Sequence, residues 1–134
     1  MKEYFAPRVS ADTAPFWDGC RQHKLLLQKC GRCGHIRWPA AYLCPQCLSE
    51  EADWTPMSGR GTLYSYIVMH KAFHPSIEEN VPYIVAEIDL EEGVRILSNL
   101  EPEEGQTPHC GDRVNLDWCD GQQYSKTVFR IEKE

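Results

Sequence analysis

Cys30, Cys33, Cys44 and Cys47 stand as two CxxC pairs separated by ten residues. The pairs sit in the stretches KCGRCGH and LCPQCLS, where Gly31, Gly34 and Pro45 permit the tight turns that let two thiolates reach one ion. Four thiolates fill a tetrahedron and leave no position for water or substrate, so the expected role of the ion is structural. Zinc is the expected metal, and iron in a four-thiolate site uses the same donors. Two disulfides, or four unliganded thiols, are the other readings of these residues.

Three cysteines remain, Cys20, Cys110 and Cys119. Cys20 precedes His23 by three residues, a helical spacing that could pair a nucleophile with a base. An autonomous acyl-CoA hydrolase or transferase built on that pair would also need an orienting group and an oxyanion site, and the sequence identifies neither. Cys119, after Trp118, reads as barrel packing, and Cys110 lies beside His109 in the loop HCGD. The acidic pairs Glu78/Glu79, Glu91/Glu92 and Glu103/Glu104 fall in loops or turns and read as solvated charge. No glycine-rich phosphate loop and no hydrolase nucleophile motif occurs.

The elements that must position these groups are mainly β. Residues 12–23 (DTAPFWDGCRQH) predict a short helix, with Asp12 or Thr13 as cap and Pro15 in the first turn. Gly19 should weaken it by about 1 kcal/mol relative to alanine. Its aromatic face, Phe16 and Trp17 with Cys20, reads either as packing on the chain's own ribbon or as a partner-binding surface. Leu25 to Leu27 read as a strand leading into the first knuckle; Ile36, Trp38 and Tyr42 occupy the zinc hairpin, which Pro39 breaks. The stretch WTPMSGR is rich in turn residues and places a boundary there, giving 1–59 as helix plus rubredoxin-like zinc ribbon and 60–134 as a second domain. Segments 62–70, 83–90, 94–100, 113–119 and 124–132 are rich in β-branched and aromatic residues, with Ile84, Ala86, Ile88 and Leu90 on one face. Five strands without a long helix fit an OB-fold barrel, with an SH3-like barrel second. The loop from Lys71 to Pro82 exceeds the usual hairpin length.

Charge narrows the function classes. Residues 1–60 carry eight Lys/Arg against six acids, whereas the rest carries six against fourteen. An acidic barrel repels phosphate backbones, so a nucleic-acid-binding ribbon/OB module is the second reading and no nucleic-acid partner is expected. No stretch approaches the roughly 20 apolar residues that span a bilayer, and residues 1–14 lack the apolar run of a signal peptide. A cytoplasmic location without membrane association is the expectation, and an odd number of cysteines fits a reducing compartment.

The order of motifs is itself informative: PFWDGCRQHKLLLQKC, the knuckles, WTPMSGRGTLYSYIVMH, VPYIVAEIDLEEGVRILSNL and GDRVNLDW. It resembles the acyl-CoA-associated zinc-ribbon/OB proteins catalogued as domain of unknown function thirty-five, over roughly Ala14 to Arg130. The resemblance implies a non-catalytic subunit docked on a thiolase-fold enzyme in a hetero-oligomer, as in benzoylsuccinyl-CoA thiolysis or sterol side-chain aldol cleavage. The catalytic residues would then lie on the partner, and this chain would help to bind or shield CoA or acyl-CoA. Such a ligand needs cations for its phosphates and an apolar groove for its arm. Arg37 with Trp38 and Pro39, Arg60 at the junction, and Phe73, His74 and Tyr83 near the long loop are the expected CoA contacts.

Overall fold

A computed structural model describes residues 7–133 of the chain. Its single α-helix, α1, spans Ala14–Arg21 with Pro15 in the first turn. Thr13 caps the helix by position only, because its hydroxyl is engaged by Ser10. The helix is shorter than the sequence predicts because the chain reverses at His23, where φ is 58°. There His23 N donates to Cys20 O and Lys24 N to Gly19 O, the paired bonds that close a helix through a left-handed residue. Gly19 is needed rather than merely tolerated: a Cβ there would lie 2.8 Å from the Leu26 side chain. Its absence lets the helix lie against the first strand.

That strand, β1 (Leu26–Cys30), is the centre of a three-stranded antiparallel sheet flanked by β2 (Ile36–Arg37) and β3 (Ala52–Pro56). Gln28 stands opposite Arg37 on one side and Trp54 on the other. The sequence does not announce β3, because Pro56, Ser58 and Gly59 mask a short strand whose proline sits at its very end on a sheet edge.

Beyond it, β4 (Arg60–Met69), β5 (Tyr83–Leu90), β6 (Arg95–Leu100), β7 (Arg113–Asp120) and β8 (Ser125–Ile131) close into a barrel of order β4-β5-β6-β8-β7. All pairings are antiparallel except β6 with β8. This is the five-stranded OB arrangement. A bulge between Leu63 and Ser65 bends β4, and Gly61 passes so close to β5 that a Cβ would meet Asp89 O at 2.6 Å. Ala86, Ile88 and Leu90 face inward as their alternation requires.

Ribbon and barrel share one core. Leu25, Leu27 and Met57 pack in the same cluster as Leu63, Ile88, Ile96, Leu100, Val114 and Phe129. The Met57 amide also bonds Leu25 O at 2.8 Å, tying the end of the ribbon to its start. A second fastening joins α1 to β7: the His23 ring stacks on Trp118 at 5.2 Å, and its Nε2 lies 2.8 Å from an Asp120 oxygen.

Leu27 is 1 % exposed. Leu27→Ala should cost about 2–5 kcal/mol. Because the core is shared, chemical denaturation of this variant, followed by tryptophan fluorescence and by metal release, should show both signals weakened together. The fastening at Asp120 has a pH signature. Its carboxyl is held below the ordinary 3.8, first by the Ser125 hydroxyl and then by His23. A carboxyl depressed on folding contributes stability above its unfolded value and loses it as the pH falls through the folded one. The stability difference between the wild type and Asp120→Asn should therefore shrink between about pH 5 and about pH 2, read by urea titration at each pH.

Candidate metal centre and adjoining cleft

The two CxxC turns fold alike, residue for residue. Gly34 N donates to Cys30 O at 3.1 Å and Leu48 N donates to Cys44 O at 2.9 Å. Cys30 N donates to His35 O at 2.8 Å, and Cys44 N to Ser49 O at 3.0 Å. The residue after each pair turns left-handed, with φ of 79° at Gly34 and 63° at Leu48. Glycine is at ease there, whereas a side chain costs roughly 1–2 kcal/mol.

The turns bring the four Sγ atoms within 4.8 Å of one another. Cys30 and Cys47, and Cys33 and Cys44, each stand 3.6 Å apart. A disulfide would need about 2.05 Å, so that reading of the sequence is set aside. Tetrahedral arms of about 2.3 Å separate sulfurs by about 3.8 Å, so the donor set fits a metal ion. The backbone helps the thiolates form: Cys33 and Arg32 amides, at 3.4 Å from Cys30 Sγ, lower that thiol to about 6. Burial opposes ionisation of Cys44, but amides from Cys47 and Gln46 turn the balance downward. Cys33 moves the other way, to about 12, although its largest influence, the His35 amide, favours the thiolate. Burial and the Cys44, Cys47 and Cys30 sulfurs outweigh that amide. Four like charges in so small a space call for a cation.

Beside the ribbon, a cleft of about 310 Å³ opens between α1, the zinc hairpin and the barrel. Phe16, Trp17, Leu25 and Trp38 line it together with Ile96, Leu97 and Asn99 of β6, Lys126 and Thr127 of β8, and Tyr124 just before β8; Asn99, Lys126 and Thr127 supply its polar end. Lys126 is only 9 % exposed and donates from Nζ to Asn99 Oδ1. Phe16 packs edge-on to Trp17 at 5.0 Å, and Trp17 edge-on to Tyr124 at 6.3 Å. Sequence reasoning missed Asn99, Tyr124 and Lys126; β8 reads SKTVFRI, with Ser125, Thr127 and Arg130 beside the lysine, so nothing in the sequence set Lys126 apart.

The expected site residues fall in several places. Trp38 and the pair Phe16 and Trp17 meet in this cleft. Cys20 does not present itself to a partner, because it is fully buried beneath the helix and burial pushes its thiol up to about 12. With His23 turned to Trp118 and Asp120, the pair that an autonomous enzyme would need is not assembled, and both residues serve the helix. Arg37 departs furthest from its expected role as a surface cation. Register on β2 turns its guanidinium inward, 5 % exposed, where Nε donates to Gln28 Oε1 and Nη2 to Ala41 O. Ala41 N bonds the same Gln28 oxygen, so Arg37 and Gln28 brace the loop containing Trp38 and the exposed Pro39. Arg60 is exposed but held in two bonds by Glu91, at 2.7 and 3.1 Å. Phe73 is exposed beneath Lys71 Nζ, His74 is exposed, and Tyr83 lines a separate cleft with Pro82, Glu101 and Arg130. The seven expected CoA contacts are not gathered at one point. No described helix is long and apolar enough to cross a membrane.

Comparison with known proteins follows this geometry. Residues 17–52 match the family model of the ChsH2 rubredoxin-like zinc ribbon domain, and residues 54–118 that of the ChsH2 C-terminal OB-fold domain. A probable enoyl-CoA hydratase alpha subunit of Thermomonospora curvata is 35% identical over 125 residues, covering 92% of this chain and 39% of the relative. The chain thus spans well under half the length of that relative. The benzoylsuccinyl-CoA thiolase subunit BbsA of Thauera aromatica is 36% identical over 88 residues, 66% of this chain and 58% of that protein. A solved chain of the Ltp2-ChsH2(DUF35) aldolase superposes with a TM-score of 0.84 at 35% identity, covering 94% of this chain and 98% of that one. With both halves matched and near-complete coverage of that solved chain, the protein belongs to the ChsH2 (DUF35) family of zinc-ribbon/OB-fold proteins.

Proposed function

We propose that this chain is a non-catalytic, zinc-holding accessory subunit that docks on a thiolase-fold enzyme and helps to hold or shield the CoA thioester. The observation that carries the reading is the superposition, over nearly the whole of both chains, on a solved chain of the Ltp2-ChsH2(DUF35) aldolase, supported by a relative named as a thiolase subunit. Cys20, the thiol nearest a histidine in the helix, is buried and resists ionisation, which fits chemistry performed by another chain.

Within this reading the cleft supplies the CoA-facing surface. Its aromatic walls suit a pantetheine arm or an acyl group, and Lys126 offers a cation at the polar end. The bracing of the hairpin by Arg37 and Gln28 fixes Trp38 on the cleft wall. Arg37 would then act on the ligand through Trp38 rather than through a phosphate.

Two experiments test this. Elemental analysis should find one zinc per chain, and a ferric site would instead be red. Stripping the metal removes a contribution on the order of 10–16 kcal/mol, so the ribbon should unfold and partner association should be lost, as it should in Cys30→Ser. The second experiment takes a thiolase-fold protein, sought among the products of the genes beside this one, and assays it with and without this chain. The expected result is a stable complex on gel filtration and condensation or thiolysis that depends on the complex. Trp38→Ala should keep the complex and raise the KM for the CoA thioester at least about tenfold, roughly the effect of losing one aromatic anchor. Equal activity of the partner alone, with no complex, removes the proposal.

A further inference from the structure

We infer that the tip of the second zinc knuckle, Leu48 with Tyr42 and Leu43, is a docking point that inserts into an apolar pocket rimmed by lysine or arginine on the thiolase-fold partner. The inference rests on the accessory-subunit reading and adds to it the surface that makes contact.

The argument starts from the equivalence of the two knuckles. Both require a left-handed residue after the second cysteine, and both close it with the same amide-to-carbonyl bond. The first knuckle places glycine there, and around Gly34 a Cβ would meet nothing within 4 Å. The second knuckle places leucine, a branched side chain in a backbone region that disfavours it. Nothing in the fold repays that choice, since Leu48 is 70 % exposed. Tyr42 is also 70 % exposed and Leu43 40 %. A strained backbone that holds an apolar side chain out into water is the pattern of an interface anchor, which becomes favourable only when a partner covers it.

Strand β4 also exposes Ile67 and Val68, and the loop after it exposes Phe73. Ile67 and Val68 lie in ordinary strand backbone and need no special explanation.

Charge says what kind of pocket receives the tip. Residues 42–53 contain Glu50, Glu51 and Asp53 and no lysine or arginine; Lys29 stands across the sheet from Asp53, so the acidic edge of the tip is Glu50 and Glu51. All three acids are exposed, and Glu50 accepts the Tyr42 hydroxyl at 2.8 Å, which fixes the ring beside the negative edge. An apolar centre with an acidic rim pairs with an apolar pocket edged in basic residues.

The test is calorimetric titration of the purified chain against the thiolase-fold protein used in the association experiment above, with the wild type and the variants Leu48→Gly, Leu48→Asn and Glu51→Arg. Leu48→Gly and Leu48→Asn suit the left-handed backbone, so each should keep its zinc and melt at or above the wild-type temperature. Each should nonetheless bind at least about tenfold more weakly. Glu51→Arg should weaken binding and reduce its dependence on salt. Unchanged affinity in both Leu48 variants overturns the inference while leaving the accessory-subunit reading intact. A lower melting temperature in Leu48→Gly would show that the leucine serves its own fold, which also overturns it. Equal or tighter binding by Glu51→Arg rules out the basic rim. A wild-type chain that does not bind removes both the inference and the reading beneath it.

Discussion

The ribbon depends on the convergence of four sulfurs, with paired thiols 3.6 Å apart, more than on any packing of its own. Outside the shared core it has little apolar material, and the strand β2 is only two residues long. A module of that kind is held by a tethering ion or not at all. The backbone is arranged around this constraint: amides of Arg32 and Cys33 aim at Cys30, and amides of Gln46 and Cys47 favour the thiolate of Cys44. Those bonds favour negative charge before any ion is present, and the mutual repulsion of the sulfurs gives a divalent cation its driving force.

From the metal centre the constraint passes outward through rigid connections. The first knuckle opens directly into β1, whose Leu27 lies in the barrel core, so the ribbon cannot tilt without disturbing Ile88 and Phe129. On the other edge, Gln28 of β1 receives both Arg37 Nε and Ala41 N, which carries the same rigidity to the loop bearing Trp38. The helix is held independently, by the close approach at Gly19 and by the His23 fastening. Three separately anchored elements thus meet at one cleft, and its walls are fixed before any ligand arrives. Such preorganisation avoids the ordering cost that a flexible surface would incur on binding.

Much of this was legible in the sequence, and the gaps have physical causes. The metal ligands, the barrel and the inward face of β5 are set by local rules of spacing and alternation, and the structure agrees with them. Arg37 misled because exposure is a tertiary property. An arginine between an isoleucine and a tryptophan reads as a surface charge, whereas its place opposite Gln28 depends on a register that only folding reveals. Cys20 and His23 lost their helical relation because the helix ends at Arg21, two residues before the expected end, and the left-handed turn at His23 carries its ring away. Lys126 went unnoticed because a strand lysine is ordinarily solvated, and the cleft around it draws on six separate segments.

His23 and Leu48 are the two described non-glycine residues with positive φ, and together they show what such positions are for in this fold. At both, a turn demands the left-handed conformation and glycine would satisfy it more cheaply. His23 returns the cost visibly, because the helix end aims its ring onto Trp118 and against Asp120 and so pins α1 to the barrel. Leu48 has the same backbone demand but directs its side chain into solvent. The fold therefore uses a strained residue once to join two of its own elements, and the matching position on the zinc knuckle has the form of the same device turned outward. A rigid, metal-tethered knuckle suits that use, because an apolar tip on a flexible loop could fold back onto its own chain. The tip of a closed tetrathiolate turn has no such freedom, and its leucine meets apolar surface only on another molecule.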